Sequence, residues 1–469
     1  MSLRRLLAAA AVAALAITSA CSSGDPGGTT SGAASNGTSP SAVQLSGSIT
    51  FWTPHLTPPR LAKQQEIAKK FEAKTGVKVE VVGLGAADQN QALVTGAASG
   101  KVPDVVMVAP DQIAAWGSQG LLDLEAPQQV VNSLGADTFA KQALQLAQID
   151  GKLGGVPSDG WAHLLVYRKD LLTAAGIQPP KTIEDVAAAA TKLKSGTVSG
   201  MAIGTRAGTP SATEALESVL QPAGCKLVTD GKVTIDSSEC VKGLQLFKQM
   251  NDSSVAGQMD VTAARTAYLA GNAGMLLFSS HILDELAGLD PANPVSCAQC
   301  TADKQWLAKN SGFVTVLQTA DGKGAQYGTT LNYVIPTNAR TNEAKAFIDY
   351  MLNEGYVDNL STATEGRVPL RAGTKDAPTK FTDAWAKLPF GVDQSGGKSI
   401  SDVYGADIAS SVQKGAMNIN RWGFGTKDAA LAGKAFSQHI LSKNVEPLLT
   451  GTPADQVAKN MAAAVKALQ

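Results

Sequence analysis

Strand-like segments alternate with helix-like segments near the start of the folded part, and this alternation restricts the possible folds. Residues 48–52 and 77–82 are rich in β-branched and aromatic side chains, and residues 105–108 are entirely apolar, which is typical of strands. Between them, residues 60–74 and 88–99 carry apolar side chains at helical spacing. Strands that alternate with helices form a largely parallel sheet with helices on both faces. The pattern therefore predicts an α/β fold.

The same alternation continues through the rest of the chain. The further predicted strands are residues 164–167, 200–203, 274–278 and 329–335, and the further predicted helices are residues 110–118, 183–194, 239–250, 261–270 and 342–353. Trp116 and Trp385 stand at helical spacing among apolar residues, which predicts that both belong to the core. A chain of 469 residues is long enough for two or three domains at roughly 100–200 residues each.

The N-terminus has the pattern of an export signal. A basic start is followed by apolar residues 6–17, and small residues directly precede Cys21. This order predicts a signal peptide over residues 1–20. The small residues before the cysteine also resemble a bacterial lipobox, which predicts that Cys21 is acylated; secretion without a lipid is the alternative. Residues 21–46 are rich in Ser and Gly and are expected to form a flexible linker.

The charge balance excludes one class of partner. The chain has 40 Lys and Arg and 40 Asp and Glu, so its formal net charge is zero. Proteins that bind nucleic acid usually present a basic surface, so nucleic acid is not expected as a partner. No apolar run reaches the roughly 20 residues that a membrane-spanning helix needs. Contact with a membrane is therefore expected only through the lipid on the N-terminal cysteine.

Four cysteines follow the predicted lipid site, and export would place them in an oxidising compartment. Four cysteines allow three pairings, and proximity in the sequence favours Cys225 with Cys240 and Cys297 with Cys300 as disulfides. A metal site or a redox site at residues 297–300 is the weaker alternative. No second CxxC and no nearby pair of histidines completes a set of metal ligands.

No catalytic or cofactor motif is recognisable in the sequence. Residues 96–101 resemble a phosphate-binding loop, but their glycine spacing is too short and Val102 replaces the Ser or Thr that binds Mg²⁺. The sequence has no nucleophile elbow and no zinc-protease motif. Its histidines are too scattered for a metal site: His55, His163, His281 and His439. We therefore expect no cofactor, no metal site and no catalytic centre.

Eight short motifs occur in a fixed order along residues 47–469. They are FWT at residues 51–53, FEAKTGVKV at 71–79, PDVV at 103–106, GLLDL at 120–124, GKLGGVP at 151–157, LVYRKDL at 165–171, YLAGNAGM at 268–275 and PTN at 336–338. In content and order they resemble the extracellular solute-binding proteins of ABC importers, in the group that includes maltose-type sugar binders.

The resemblance implies a fold of two α/β lobes joined by a hinge, each with a mostly parallel sheet flanked by helices. The first lobe would comprise residues 47–157 and 320–372, and the second residues 158–319 and 373–469. Ligands of open α/β sheets bind at the carboxyl ends of the strands, which face the cleft between the lobes in such a protein. Hinge closure over a ligand is the expected movement.

Sugars are recognised by aromatic rings that pack on their C–H faces and by polar groups that pair with their hydroxyls. Aromatic and polar residues just past the strand ends are therefore the predicted ligand-binding residues: Trp52, His55, Asp111, Gln112, Asp159, Trp161, His281, Asn332, Arg367 and Trp422. Of these, Trp161 and Trp422 are expected to stack on the ligand. Asp111, Asp159 and Arg367 are expected to bind its polar groups.

The resemblance implies a monomeric, lipid-anchored protein without enzymatic activity on the outer face of a bacterial cell membrane. It would capture a sugar or an oligosaccharide and deliver it to a permease and its ATPase. Three alternatives remain open. The ligand could be of the glycerophosphodiester type, because Arg367 and His281 would suit an anionic group. His281 also stands where many sugar binders have a stacking Trp. The protein could instead be a secreted glycan-active enzyme, or an anchored interaction protein without a small ligand.

Overall fold

The computed structural model describes residues 44–319, 324–392, 394 and 397–469, and the segment Leu45–Gln469 forms one compact unit. The predicted signal peptide, Cys21 and the linker up to residue 43 lie outside the described residues. The same holds for residues 320–323 of the predicted first lobe and for residues 393, 395 and 396 of the second. Among the residues described, no helix is both long enough and apolar enough to cross a membrane.

The elements of the described residues alternate as the sequence predicts. The strands are β1 (Ser48–Thr53), β2 (Lys78–Gly83), β3 (Val105–Val108), β4 (Gln148–Ile149), β5 (Lys152–Leu153), β6 (Val156–Arg168), β7 (Val228–Thr229), β8 (Lys232–Val233), β9 (Met275–Ser279), β10 (Ser311–Val314), β11 (Gly328–Val334) and β12 (Val368–Pro369). The first helices are α1 (Pro58–Thr75), α2 (Ala86–Ser99), α3 (Pro110–Gly117), α4 (Ala126–Leu134), α5 (Lys141–Leu146), α6 (Lys169–Ala174), α7 (Ile183–Leu193), α8 (Pro210–Leu220), α9 (Ser238–Asp252) and α10 (Val261–Leu269).

The C-terminal half of the chain is mostly helical. Its helices are α11 (Ile282–Leu286), α12 (Trp306–Asn310), α13 (Thr341–Met351), α14 (Tyr356–Leu360), α15 (Lys380–Trp385), α16 (Ile400–Tyr404), α17 (Ala406–Met417), α18 (Ala429–Ser437), α19 (Ile440–Lys443), α20 (Glu446–Leu449) and α21 (Ala454–Lys466). Residues 200–203, which the sequence predicts to be a strand, form only isolated bridges at Met201 and Ala202.

The main sheet has the strand order β10-β6-β11-β3-β1-β2. Strand β1 pairs in parallel with both β2 and β3, as expected for strands joined by crossover helices. Strand β11 is antiparallel to β3 on one side and to β6 on the other. The predicted α/β class is confirmed, and the parallel part of the sheet is the part that the alternation of strands and helices predicts.

Strand β6 is shared by two groups of strands. Its first half pairs with β11 and β12, and its second half, from His163 onward, pairs with β9 and β10. Along its whole length, only Trp161 and Tyr167 are not buried. The chain therefore passes between the two groups of strands on one continuous, almost fully buried strand.

Helix α1 shows how local sequence signals set the element boundaries. Prolines occupy its first helical positions, where their missing N–H costs no hydrogen bond. Gly76 ends the helix in the left-handed conformation, with φ of 76°, and its N–H donates to the Glu72 carbonyl, which is typical of a glycine C-cap. The buried face of the helix carries Phe71, whose ring lies 5.3 Å from that of Phe347.

Both tryptophans predicted to be core residues are buried. Trp116 is 0% exposed and Trp385 is 1% exposed. Each indole N–H has a partner, because the Trp116 group donates to Asn90 Oδ1 at 2.7 Å and the Trp385 group to the Thr364 carbonyl at 2.9 Å. Burial of a tryptophan therefore leaves no unpaired donor at either place.

The cysteine sulfurs lie together as the sequence spacing predicts. Cys225 and Cys240 are at bonding distance, as are Cys297 and Cys300, and all four residues are buried. The first pair joins the loop after α8 to the first turn of α9. Within the described residues, no group of three or more His, Cys, Asp or Glu side chains is placed to hold a metal ion.

Candidate functional site

A cavity of about 180 Å³ lies beside the middle of β6, where the two groups of strands meet. Its aromatic lining residues are Trp161, His163, Phe278 and His281, and its polar lining residues are Ser211, Glu214 and Ser279. Strands β6 and β9 bring these side chains together, because His163 and Ser279 are cross-strand partners. Helix α8 closes the cavity from the other side.

The ring of Trp161 is held in a fixed orientation. It stacks on His163 at a centroid distance of 5.5 Å and an interplanar angle of 27°. The two residues are two positions apart on β6, so their side chains lie on the same face of the strand. The rings of Tyr327 and His281 each lie 6.3 Å from the Trp161 ring. One partly exposed aromatic surface is thereby presented to the cavity.

Helix α8 supplies the polar side of the cavity. The Thr209 hydroxyl accepts a hydrogen bond from the Ala212 N–H and so caps the start of the helix. Ser211, Glu214 and Ser218 follow at helical spacing and lie along one face of the helix. The Glu214 carboxylate is 3.5 Å from His163 Nε2, and 25% of its side chain is exposed.

His163 connects this helix to the strand. Its Nδ1 lies 2.8 Å from the Ser218 hydroxyl. Its ring also packs edge-on against Tyr327, with centroids 4.7 Å apart. With one nitrogen at Ser218 and the other facing Glu214, the imidazole fixes the distance between β6 and α8 at the cavity.

A buried arginine lies behind the aromatic rings. The Arg421 guanidinium is 4.7 Å from the Tyr327 ring centre, and its Nε donates to Glu217 Oε1 at 3.0 Å. Burial alone would lower the pKa of Arg421, but the Glu217 carboxylate outweighs that effect, so the pKa is raised. The arginine is therefore a paired cation that supports the aromatic wall.

His281 follows β9 and closes the cavity at the junction of the two groups of strands. Its imidazole packs directly on Gly366, where a Cβ atom would overlap the ring. Burial lowers its pKa to about 3, with smaller contributions from the positive charges of Arg60 and Arg367. The imidazole is therefore neutral at neutral pH.

The comparisons with known proteins agree with this architecture. Residues 54–358, well over half of the chain, match the family model of the bacterial extracellular solute-binding proteins. The chain belongs to this family. The family consists of extracellular or periplasmic substrate-binding proteins of transport systems, and the resemblance seen in the sequence motifs is confirmed.

Two relatives and one solved structure illustrate the similarity of this solute-binding protein. It is 24% identical to the putative ABC transporter periplasmic-binding protein YcjN of Escherichia coli (strain K12) over 67% of this chain and 70% of that protein. It is 33% identical to the maltodextrin-binding protein MdxE of Bacillus subtilis (strain 168), over 26% of this chain and 27% of that protein. The cyclic alpha-maltosyl-1,6-maltose binding protein from Arthrobacter globiformis superposes with a TM-score of 0.65 at 18% identity, over 90% of this chain and 98% of that one.

These matches confirm the predicted fold class, because the structural neighbours are two-lobed α/β solute-binding proteins. The aligned part covers only 27% of the maltodextrin-binding protein. Its ligand is therefore a guide for a proposal about this solute-binding protein and does not establish the ligand.

The predicted ligand-binding residues of this solute-binding protein have different surroundings in the structure. Trp161 and His281 line the cavity. Asp159 and Arg367 are brought together, but they are fully buried and pair with each other. Asp111 lies near Arg421; burial raises the pKa of its carboxyl, and the arginine charge opposes that shift. In the present conformation Asp159 and Arg367 hold the junction rather than line the cavity.

The other predicted residues make contacts within the protein. Gln112 donates to the Ala86 carbonyl and to Gln89 Oε1, each at 3.3 Å, and Asn332 donates to the Val108 carbonyl at 3.3 Å. Trp52 packs partly buried against the core. His55 has a buried Nε2 without a hydrogen-bond partner among the residues described, and burial holds its pKa well below the usual range. The indole N–H of Trp422 donates to the Cys225 carbonyl at 2.8 Å.

Sequence reasoning missed His163, Ser211 and Glu214 as cavity residues. His163 could have been found, because it follows Trp161 by two positions on a strand and must share its face. Glu214 and Ser211 carry no comparable signal. Their position depends on how α8 packs beside β6, and no feature of the residues 210–220 reveals that neighbour.

Proposed function

We propose that this chain is the substrate-binding subunit of an ABC importer and that it captures a sugar or a polyol beside Trp161. One observation carries the proposal: a partly exposed tryptophan face, fixed by His163, stands opposite the polar side chains of Ser211 and Glu214. The C–H face of a sugar packs on an aromatic ring, and its hydroxyls need polar partners at the rim. The cavity offers both within a small volume.

The size of the cavity favours a compact solute in this conformation. Its volume of about 180 Å³ lies below the roughly 300–1,000 Å³ typical of sites for drug-sized ligands. A monosaccharide or a polyol is therefore the expected ligand of the closed form. An oligosaccharide would require the lobes to stand further apart than they do here. Opening about a hinge is the movement that would separate them.

The proposed lobes keep the boundaries expected from the sequence, residues 47–157 with 320–372 and residues 158–319 with 373–469. Strand β6 crosses between the proposed lobes, because its residues up to Ala162 pair with β11 and β12 of the first lobe and its residues from His163 onward pair with β9 and β10 of the second. Ligand contacts from both lobes would stabilise the closed state relative to the open one.

The mechanism consists of capture, closure and delivery, without chemistry. The monomeric protein would be anchored through a lipid on Cys21 and tethered by residues 21–46 outside the membrane. In that oxidising compartment the two cysteine pairs would form disulfides. The closed form would then dock on the permease, whose ATPase drives transport.

The test is thermal unfolding of the protein with a panel of hexoses, disaccharides and polyols. A ligand at 100 times its dissociation constant stabilises the folded state by about 2.7 kcal/mol, which is an easily measured shift. The variant W161A should lower the affinity for the best ligand at least tenfold. The matched control W306A removes a partly exposed tryptophan that packs on Arg168, away from the cavity. The proposal is contradicted if W161A binds the best ligand as tightly as the parent protein does. It is also contradicted if no compound of the panel stabilises the protein at millimolar concentration.

A further inference from the structure

The charge of the cavity lining is one-sided. Among the described residues that line it, Glu214 is the one acidic side chain, and no Lys or Arg is present. Its carboxylate faces His163 across 3.5 Å and is otherwise directed at the open volume, with 25% of the side chain exposed. A solute in the cavity therefore meets a carboxylate that has no strong cationic partner.

Two arginines outside the cavity lining, Arg421 and Arg60, face acidic side chains. Arg421 pairs with Glu217, and both side chains are at most 3% exposed. Arg60 faces Glu365 across 3.8 Å. Neither arginine is among the described residues that line the cavity, so an anion there would not meet the guanidinium fork that usually holds a phosphate or a carboxylate.

The junction behind His281 adds no free positive charge. Arg367 donates to both oxygens of Asp159 and to the Thr362 hydroxyl. The imidazole of His281 is neutral, since burial lowers its pKa to about 3. An anionic ligand group placed here would therefore meet Glu214 without compensation, and like charges brought together in a protected site repel strongly.

Building on the proposed function, we propose that the site selects against anionic solutes and that the captured solute donates a hydrogen bond to Glu214, from a hydroxyl or a protonated amine. Both donors suit a carboxylate acceptor. A protonated amine would in addition lie beside the aromatic surface of Trp161, which attracts cations. Glycerophosphodiesters, sugar phosphates and uronates are excluded by the same arrangement.

The test uses matched probes that differ only in charge. Glucose, glucosamine, glucose 6-phosphate and glucuronate are titrated calorimetrically into the protein, and the same four forms of galactose and mannose follow. In a series that binds, we expect the phosphate and the uronate to bind at least 100-fold more weakly than the neutral or the amino form. A phosphate or uronate that binds as tightly as its neutral form overturns the inference.

Two variants change the charge without removing the aromatic surface. E214Q should reduce the difference in affinity between the neutral and the anionic forms at least tenfold. If the donor is an amine, E214Q should also weaken binding of the amino form more than binding of the neutral form. S211D adds a carboxylate in the first turn of α8, where helices tolerate acidic residues, and should widen the gap. The control E239Q alters an exposed acid at the start of α9 and should change neither.

The outcomes separate this inference from the proposed function. Capture of a sugar with no preference against its phosphate leaves the function standing and overturns the selection against anions. An unchanged gap in both E214Q and S211D also overturns it, because two independent changes of the cavity charge would then have no effect. Binding of none of the probes contradicts the proposed capture of sugars itself.

Discussion

The guanidinium of Arg367 holds both carboxylate oxygens of Asp159, with Nε 3.1 Å from Oδ1 and Nη2 2.9 Å from Oδ2. The two side chains are 2% and 0% exposed. They are 208 residues apart in sequence, one on β6 and one directly before β12. This pair fastens together the two segments that run side by side where the groups of strands meet.

Breaking the buried pair should destabilise the protein strongly. D159N or R367M leaves its partner without a counter-charge in the interior, and such losses cost about 3–5 kcal/mol. The free energy of unfolding in urea, followed by circular dichroism, measures the loss. The exposed pair Lys459–Asp455 is the control, since D455N should cost less than about 1 kcal/mol. Equal losses of unfolding free energy for the buried and the exposed pair would contradict a stabilising role of the Asp159–Arg367 pair beyond that of a surface ion pair.

Any side chain at position 366 should disturb the packing of His281. G366A places a Cβ into the imidazole of His281, and overpacking of this kind costs about 1–3 kcal/mol. The double variant G366A/H281A should recover most of that stability, which a double-mutant cycle of thermal unfolding measures. G196A is the control, because a Cβ there meets no atom within 4 Å. Failure of the H281A change to rescue G366A would contradict the contact.

The stability should fall as the pH drops from about 6.5 to 3, in part because of His281. Its pKa is lowered to about 3 by burial, so the unfolded chain binds a proton in this range and the folded protein does not. The stabilising contribution is complete above the unfolded pKa of about 6.5 and is lost at up to about 1.4 kcal/mol per pH unit below it.

Comparison of H281Q with the parent protein between pH 4 and pH 7.5 isolates this effect. The parent should lose more stability than the variant on acidification, measured as the urea midpoint at each pH. H439Q provides a weaker comparison, since burial lowers the pKa of His439 in the same direction but this ring is less enclosed. Parallel pH profiles for H281Q and the parent would contradict the assignment.

The two cysteine pairs should contribute unequally to stability. The pair Cys225–Cys240 spans 15 residues and the pair Cys297–Cys300 spans 3. Chain entropy predicts stabilisation of about 3 kcal/mol for the longer loop and about 1.6 kcal/mol for the shorter one. Thermal unfolding of the variants C225A/C240A and C297A/C300A measures both. The larger loss of stability should follow removal of the disulfide that closes the longer loop. The reverse order would contradict the entropic account.

The fold was accessible from the sequence wherever local signals act alone. Helix α1 begins with prolines and ends at Gly76, and both signals lie within a few residues of the boundary they set. Strand β6 was harder: only residues 164–167 were predicted as strand, whereas it runs over Val156–Arg168. Pro157 and Gly160 are unfavourable in an isolated strand, but Pro157 pairs with β11 and Gly160 pairs with both β11 and β12, and this pairing outweighs the preference.

The candidate site was less accessible, for a physical reason. Asp159 and Arg367 have the side chains that bind sugars, and the sequence cannot tell that they lie within hydrogen-bonding distance of each other. Once they are paired, neither has a free group to offer. Of the predicted ligand-binding residues, Trp161 and His281 line the cavity, and each follows one of the motifs in the sequence. Glu214 was not found, since helix packing alone brings it to the cavity.

Strand β6 has a consequence for attempts to change what the protein binds. Asp159, Trp161 and His163 occupy every second position of the strand and share one face of it. A substitution of Trp161 that is meant to change the ligand would therefore also affect the Asp159–Arg367 pair two residues away. On helix α8, Ser211 and Glu214 line the cavity but do not neighbour that buried pair. Redesign of specificity, whether by selection in the laboratory or by natural divergence, should therefore accumulate its first changes on α8 and leave β6 intact.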